Sequence, residues 1–334
     1  MERTLRALIA TAALAAVAAL ALLVLAAPAP AAKRSILYVA DRSGTIWSHP
    51  AGGSVNQVKK LAKGKPFVDP TGIEADTDGT LWIADPGARA IFRLDPATGR
   101  TETVAKGASI STPVDLDRAP KGGPIYVLDS TADPEGLGAI LEIDPKDGTT
   151  AILPTTLDDF RLIAPTSIVL ADAGTAYITD GRGLGVPGVV FRVDLATGVM
   201  TVAARSEGLI EPKGIDLGSD GLLYVTDQGD DPMDPATRNR LLRVNPGTAA
   251  VEFLAIELPP VLGVVLDRQN QVFATTGASP IFGSPILTQI RNGDVTKGVG
   301  GPFRDPVGVT EALVKKRKPN QASNRVRAKI RVRP

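Results

Sequence analysis

The chain has no cysteine and a single histidine, His49. Neither a disulfide framework nor a thiolate site can therefore be built. A zinc site drawing on two or three His ligands is excluded as well. Ser–His–Asp catalysis would have to use His49, which falls in "WSHP" at an expected strand end. Aromatic residues are scarce, at 4%, and residues 315–334 contain none, so that basic segment has nothing to stack on bases. Nucleic acid is not an expected partner.

Core-forming and turn-forming residues are plentiful. Of 334 residues, 43% are hydrophobic, enough for a sizeable core, and 34 Gly with 27 Pro favour many turns. The N-terminus carries Arg3 and Arg6, then an apolar run from Ala7 to Ala27 interrupted only by Thr11. "PAPAAKRS" follows, and Ala29-Pro30-Ala31 offers the small residues of a cleavage site before Ala32. Residues 1–31 read as an export signal, and the run is also long enough for an uncleaved membrane anchor. The expected location is periplasmic or extracellular.

The formal net charge of +1 divides unevenly. Residues 315–334 hold nine Lys/Arg and no acid, whereas residues 32–314 hold 26 Lys/Arg against 35 Asp/Glu. An acidic body thus carries a basic tail. In "NRVRAKIRVRP", Arg325, Arg327, Lys329, Arg331 and Arg333 alternate with apolar residues, so an extended strand would put all the charge on one side. A disordered cationic tail, a strand added to a sheet edge and an anion-surface anchor all fit this pattern.

A repeat organises the body. Segments opening on proline begin "PTGIEADTDGTLWIAD" at Pro70, "PVDLDRAPKGGPIYVLD" at Pro113 and "PTSIVLADAGTAYITD" at Pro165. "PKGIDLGSDGLLYVTD" follows at Pro212, then "PVLGVVLDRQNQVFATTG" at Pro260 and "PVGVTEAL" at Pro306, in steps of 43, 52, 47, 48 and 46 residues. Steps of this size suit a four-stranded propeller blade. Each unit has an apolar inner strand A, such as Gly72–Ala75, expected to be buried on both faces. An Asp-Gly turn leads to strand B ("LWIAD", "YVTD"), then a loop to strand C ("AIFRLD", "VVFRVD"). "PATG", "PKDG" or "LATG" turns into strand D. The body opens on strands B and C ("ILYVADRSGTIWSHP") and its repeats end on a lone strand A from Pro306. The two ends complete one blade. The expected fold is all-β: a six-bladed propeller of four-stranded antiparallel blades, its ring closed by N-terminal strands B–D and a C-terminal strand A. Residues 1–31, 32–314 and 315–334 are then signal, propeller and tail.

The pattern Pro-x-Gly, Asp-Gly, an aromatic strand ending in Asp, then Arg and Asp-x-x-Gly resembles the NHL repeat over roughly residues 36–314. That resemblance implies a propeller and leaves activity open. The fold also resembles the gluconolactonase and regucalcin-like family, whose metal sits over the channel on Glu and Asn or Asp near the inner-strand starts. The matching positions are Thr71, Val114, Thr166, Lys213, Val261 and Val307, none of them such a ligand. Related lyases depend on His, which is nearly absent here.

The A–B and C–D turns are short and uniform, while the B–C loops of blades three to six are long and unequal. Loops that vary on a regular scaffold concentrate binding residues. The face where strand A begins is therefore the expected binding face, with Arg182, Lys213, Asp230, Asp231 and Arg238 as candidate ligand-binding residues. Lys213 would meet an anionic group at the channel mouth. No catalytic residue, metal ligand or cofactor is assigned. Calcium on the clustered acids Asp227, Asp230, Asp231 and Asp234 is the alternative, although the spacing lacks the EF-hand series. The recurrent strand-end aspartates Asp41, Asp85, Asp129, Asp180 and Asp227 read as turn-shaping acceptors. The expected function is an exported, monomeric binding or scaffold module that takes a protein, small molecule or glycan. The alternative is a metal-dependent envelope hydrolase or lyase using acidic residues on the same face.

Overall fold

The computed structural model describes residues 33–315, apart from 108, 156–160, 182–185, 230–238, 278–283, 285, 292–293 and 300. Residues Ser35–Val314 form one compact unit. The protein is a six-bladed β-propeller, each blade a four-stranded antiparallel sheet.

Blade one combines β24 (Pro306–Lys315) with β1 (Lys33–Asp41), β2 (Thr45–Pro50) and β3 (Lys59–Lys63), in that order. The C-terminal strand A thus pairs with the N-terminal strand B, as the two incomplete ends of the repeat require. Blade two is β4 (Gly72–Ala75), β5 (Leu81–Asp85), β6 (Ala90–Leu94) and β7 (Thr101–Lys106). Blade three is β8 (Pro113–Arg118), β9 (Ile125–Asp129), β10 (Ala139–Ile143) and β11 (Thr150–Leu153). Blade four is β12 (Pro165–Leu170), β13 (Thr175–Asp180), β14 (Val189–Asp194) and β15 (Met200–Arg205). Blade five is β16 (Pro212–Leu217), β17 (Leu223–Asp227), β18 (Asn239–Val244) and β19 (Val251–Leu258). Blade six is β20 (Val261–Leu266), β21 (Val272–Thr276), β22 (Ile286–Arg291) and β23 (Asp294–Val299).

Burial ranks the strands differently from the sequence expectation. Strand B, not strand A, is buried throughout: every residue of β5, β9 and β17 is buried. Strand A is only partly buried, as in β8, because one face lines a central channel. The apolar surface lies between blades. Trp82, Ile91 and Ile110 pack with Leu116, Val127 and Leu141 between blades two and three. Tyr224 and Leu241 pack with Val264 and Ala274 between blades five and six. No blade buries its own faces, so each depends on its neighbours and the ring must close.

The strand-end aspartates are structural. Asp85 accepts the N–H groups of Val68, Asp69 and Ala88 at 2.8–3.0 Å. Asp129 accepts those of Ser111, Thr112 and Thr131, and Asp180 those of Ile163 and Ala164. Asp41 accepts those of Ser43, Arg304 and Asp305. Each carboxylate is fully buried and ties the segment entering strand A to the end of strand B. In blade six Thr276 takes this place, and its hydroxyl donates to the Ile286 carbonyl. The Asp-x-x-Gly turns work by the same chemistry. Asp194 accepts from the amides of Ala196 and Thr197, and Gly198 turns the chain at φ +74°, where a Cβ would lie 1.8 Å from the Pro154 carbonyl.

Ring closure is testable by truncation. A chain ended at Asp305 should melt at least about 10 °C below one ended at Lys315. Losing a strand costs several kcal/mol, and each shifts Tm by roughly 2 °C in a domain of this size. Equal melting temperatures in calorimetry would show that β24 does not close the ring.

Candidate functional site

The inner strands of all six blades surround a cavity of about 680 Å³. They approach closely near the start of strand A. A Cβ on Gly214 would lie 2.7 Å from the Leu262 carbonyl oxygen, and one on Gly308 would lie 2.2 Å from that of Thr71. The glycine of Pro-x-Gly is thus a close-approach residue. Blades three and four have Asp115 and Ser167 there instead. These face each other, and the Ser167 hydroxyl donates to Asp115 at 2.6 Å.

Strand A is a sheet edge, so its outward N–H and C=O groups need partners from outside its own blade. Neighbouring blades supply them. Hydroxyls donate to carbonyls: Thr71 to Val114 and Thr166 to Pro212, both at 2.8 Å, with Thr226 to Leu262 and Thr275 to Val307. Gln228 donates to the Val261 carbonyl at 3.0 Å. Carboxylates accept from amides. Asp115 takes the Ile168 N–H at 3.0 Å, Asp117 that of Leu170 at 2.7 Å and Asp216 that of Leu266 at 2.6 Å. In blade one Thr310 takes the acceptor role for the Ala75 N–H and donates to Glu74.

These carboxylates gather in the channel with few cations near them. Burial pushes Asp115 up to about 6, against its hydrogen bonds from Ser167 and from the Ile168 and Leu116 amides. Burial pushes Asp117 and Asp216 up to about 7. Asp117 is raised further by the Asp216 and Asp115 charges, and Asp216 by those of Glu311 and Asp115. Burial, then the Asp117 charge, holds Glu74 well above the ordinary carboxylate range. A carboxyl near neutral pKa inside a cavity can move a proton.

Of the candidate binding residues, Lys213 is the one within the described residues. It lines the cavity at the strand-A starts, where its ammonium pairs with Glu211 at 2.6 Å. Arg42 and Gln228 line the same cavity, Arg42 standing 3.8 Å from both Asp69 and Asp305. Arg182, Asp230, Asp231 and Arg238 lie outside the described residues, as does Asp234. Asp227, the described member of the calcium alternative, is committed elsewhere. It accepts the Ile210 and Gly229 amides and stands 3.5 Å from the Arg240 guanidinium. Among the described residues no group of three or more Asp, Glu or His side chains is placed to hold a metal. His49 is 1% exposed, its Nε2 3.0 Å from the Ser54 carbonyl oxygen. The channel carboxylates did not figure among the expected site residues. Their signal was present in "GIEAD", "VDLDR" and "KGIDLG", where acids interrupt strands otherwise read as apolar.

No family model matches the chain. A gluconolactonase of Zymomonas mobilis is 37% identical over 79 residues, which are 23% of this chain and 21% of that protein. The chain therefore matches about a fifth of that relative's length. Among solved structures, a chain of a nidogen/laminin complex superposes with TM-score 0.67 at 18% identity, covering 84% of this chain and 100% of that one. TolB from Acinetobacter baumannii gives 0.61 at 13% identity, covering 83% and 66%. Virginiamycin B lyase from Staphylococcus aureus gives 0.56 at 14% identity, covering 83% and 88%. The structural likenesses show the shared propeller fold.

The raised carboxyl groups fix the sign of a pH dependence. Between about pH 4 and 7 the native state keeps protons on Asp115, Asp117 and Asp216 that the unfolded chain has released, so raising pH favours unfolding. The expected contribution is a Tm that falls from pH 5 to pH 8, with a shallower fall in Asp117→Asn. A Tm that rises over that range with the same slope in both proteins would contradict this.

Proposed function

We propose that this propeller binds a small ligand at the mouth of its central channel, on the face where the inner strands begin. The supporting observation is the cavity of about 680 Å³ lined by all six inner strands, a size typical of small-molecule sites. Its mouth presents Lys213 beside Glu211, with the Thr71, Thr166 and Gln228 side chains, whose donors serve neighbouring carbonyls and whose oxygens remain acceptors. This suits a polar ligand with an anionic or hydroxyl-rich end. The N-terminal apolar run supports action outside the cytoplasmic membrane. The alternating basic tail supports attachment to an anionic surface.

A second reading, lactone hydrolysis, is favoured by the local similarity to a gluconolactonase. The two are separated by one experiment with gluconolactone and gluconate. Binding without turnover predicts a saturable thermal upshift with gluconate, at least halved in Lys213→Ala, and lactone loss at the spontaneous rate. Lactone loss above that rate supports the hydrolase. No thermal shift with either compound contradicts the proposed channel ligand class.

Replacing Arg325, Arg327, Lys329, Arg331 and Arg333 by Gln should release the protein from cells at lower salt. Unchanged retention across a salt series would remove the tail's proposed role.

A further inference from the structure

The opposite face is formed by the A–B and C–D turns, which read as short and uniform. It carries a groove of about 610 Å³ between blades two and three. Its lining includes Trp82 and Arg93 from blade two, with Arg118, Lys121 and Lys146 from blade three. Lys121 comes from the A–B turn and Lys146 from the C–D turn, so two separate turns bring their ammonium groups to one groove. Trp82 is 2% exposed and lies under two guanidinium groups, Arg118 at 4.6 Å and Arg93 at 6.0 Å from its ring centre. Its indole N–H is buried without an acceptor.

Asp78, Glu102 and Asp147 also line the groove, so its walls carry four basic and three acidic side chains. Glu102 takes Arg93 and Arg100, and Asp76 takes Arg118. Asp78 accepts the Thr80 amide, and Asp147 the Thr149 amide, both at 2.8 Å. Lys121 and Lys146 are exposed and form no ion pair among the described residues. With Arg93 and Arg118 held in ion pairs, the cations left without one among the described residues are Lys121 and Lys146, and the indole N–H of Trp82 is a further donor without an acceptor. That is unusual on a body with more acids than bases. Ammonium groups lining one groove repel one another and attract an oxyanion.

We propose that this groove is an anion site, separate from the channel, for a sugar-sized ligand bearing a phosphate or carboxylate group. Lys121 and Lys146 provide the charge, while Arg93 and Arg118 provide a rigid edge held by Trp82. The volume lies within the range of small-molecule sites, larger than a lone inorganic ion needs.

Trp47 and Trp82 are the only tryptophans, so Trp47→Phe leaves Trp82 as a reporter inside the groove. The full chain with this change is titrated at low salt with glucose 6-phosphate, glucuronate and neutral glucose, followed by Trp fluorescence. A saturable change is expected with at least one anion and not with glucose. A response to glucose 6-phosphate alone identifies a phosphoryl ligand, and one to glucuronate alone a carboxylate ligand. Lys121→Gln with Lys146→Gln should weaken the response about tenfold or more, since charge-assisted bonds are lost. Lys213→Ala should leave it unchanged, which separates this site from the channel. No saturable change with either anion, a change matched by sodium chloride at equal ionic strength, or equal affinity in the double variant would overturn the proposal.

Discussion

The rest of this structure depends on how the inner strands satisfy their free edges. Each blade of a propeller keeps two short edges, strand D at the rim and strand A at the channel, and strand A presents there backbone groups that its own sheet cannot pair. Here the neighbouring blade pairs them. Threonine hydroxyls and Gln228 serve the carbonyls, while Asp115, Asp117, Asp216 and Thr310 serve the amides. The bonds run from blade to blade in the same direction as the apolar packing, so polar and apolar cohesion fail or hold together.

This arrangement shapes the channel chemically. At the mouth, glycines let the inner strands approach, and the polar groups are hydroxyls, an amide and the Lys213–Glu211 pair. Along the strands, carboxylates replace them, and burial raises their proton affinity. A ligand entering the mouth would therefore meet a cation before a set of proton-holding acids. Strain on those acids is the cost of using carboxylates rather than hydroxyls as amide acceptors, and it links blade cohesion to pH.

Much of the fold was legible because its rules are local and repeated. Pro-x-Gly marks strand A because a Cβ on Gly214 or Gly308 would strike the next blade's backbone. Strand-end Asp marks strand B because it gathers two or three loop amides, as Asp85 does. The lone strand at Pro306 pointed to closure because an unpaired strand A must find a strand B. Inner-strand burial was misjudged because apolar residues in "GIEA" and "VDLD" suggested two covered faces, whereas the channel leaves one open. The channel carboxylates were missed for the same reason: their partners are backbone amides some 50 residues away, as with Asp117 and Leu170. The turn-face groove depends on two turns meeting across an interface, which no single repeat displays.

Native-state hydrogen exchange at the inner-strand amides tests this account most directly. Asp216→Ala removes the acceptor of the Leu266 N–H without touching blade six itself. If cohesion rests on these inter-blade bonds, Leu266 exchanges about tenfold faster or more, beyond any change in global stability, while the Leu170 amide held by Asp117 keeps its protection. If Leu266 protection falls only in step with every other amide, the carboxylates are passengers in the channel and the account is wrong.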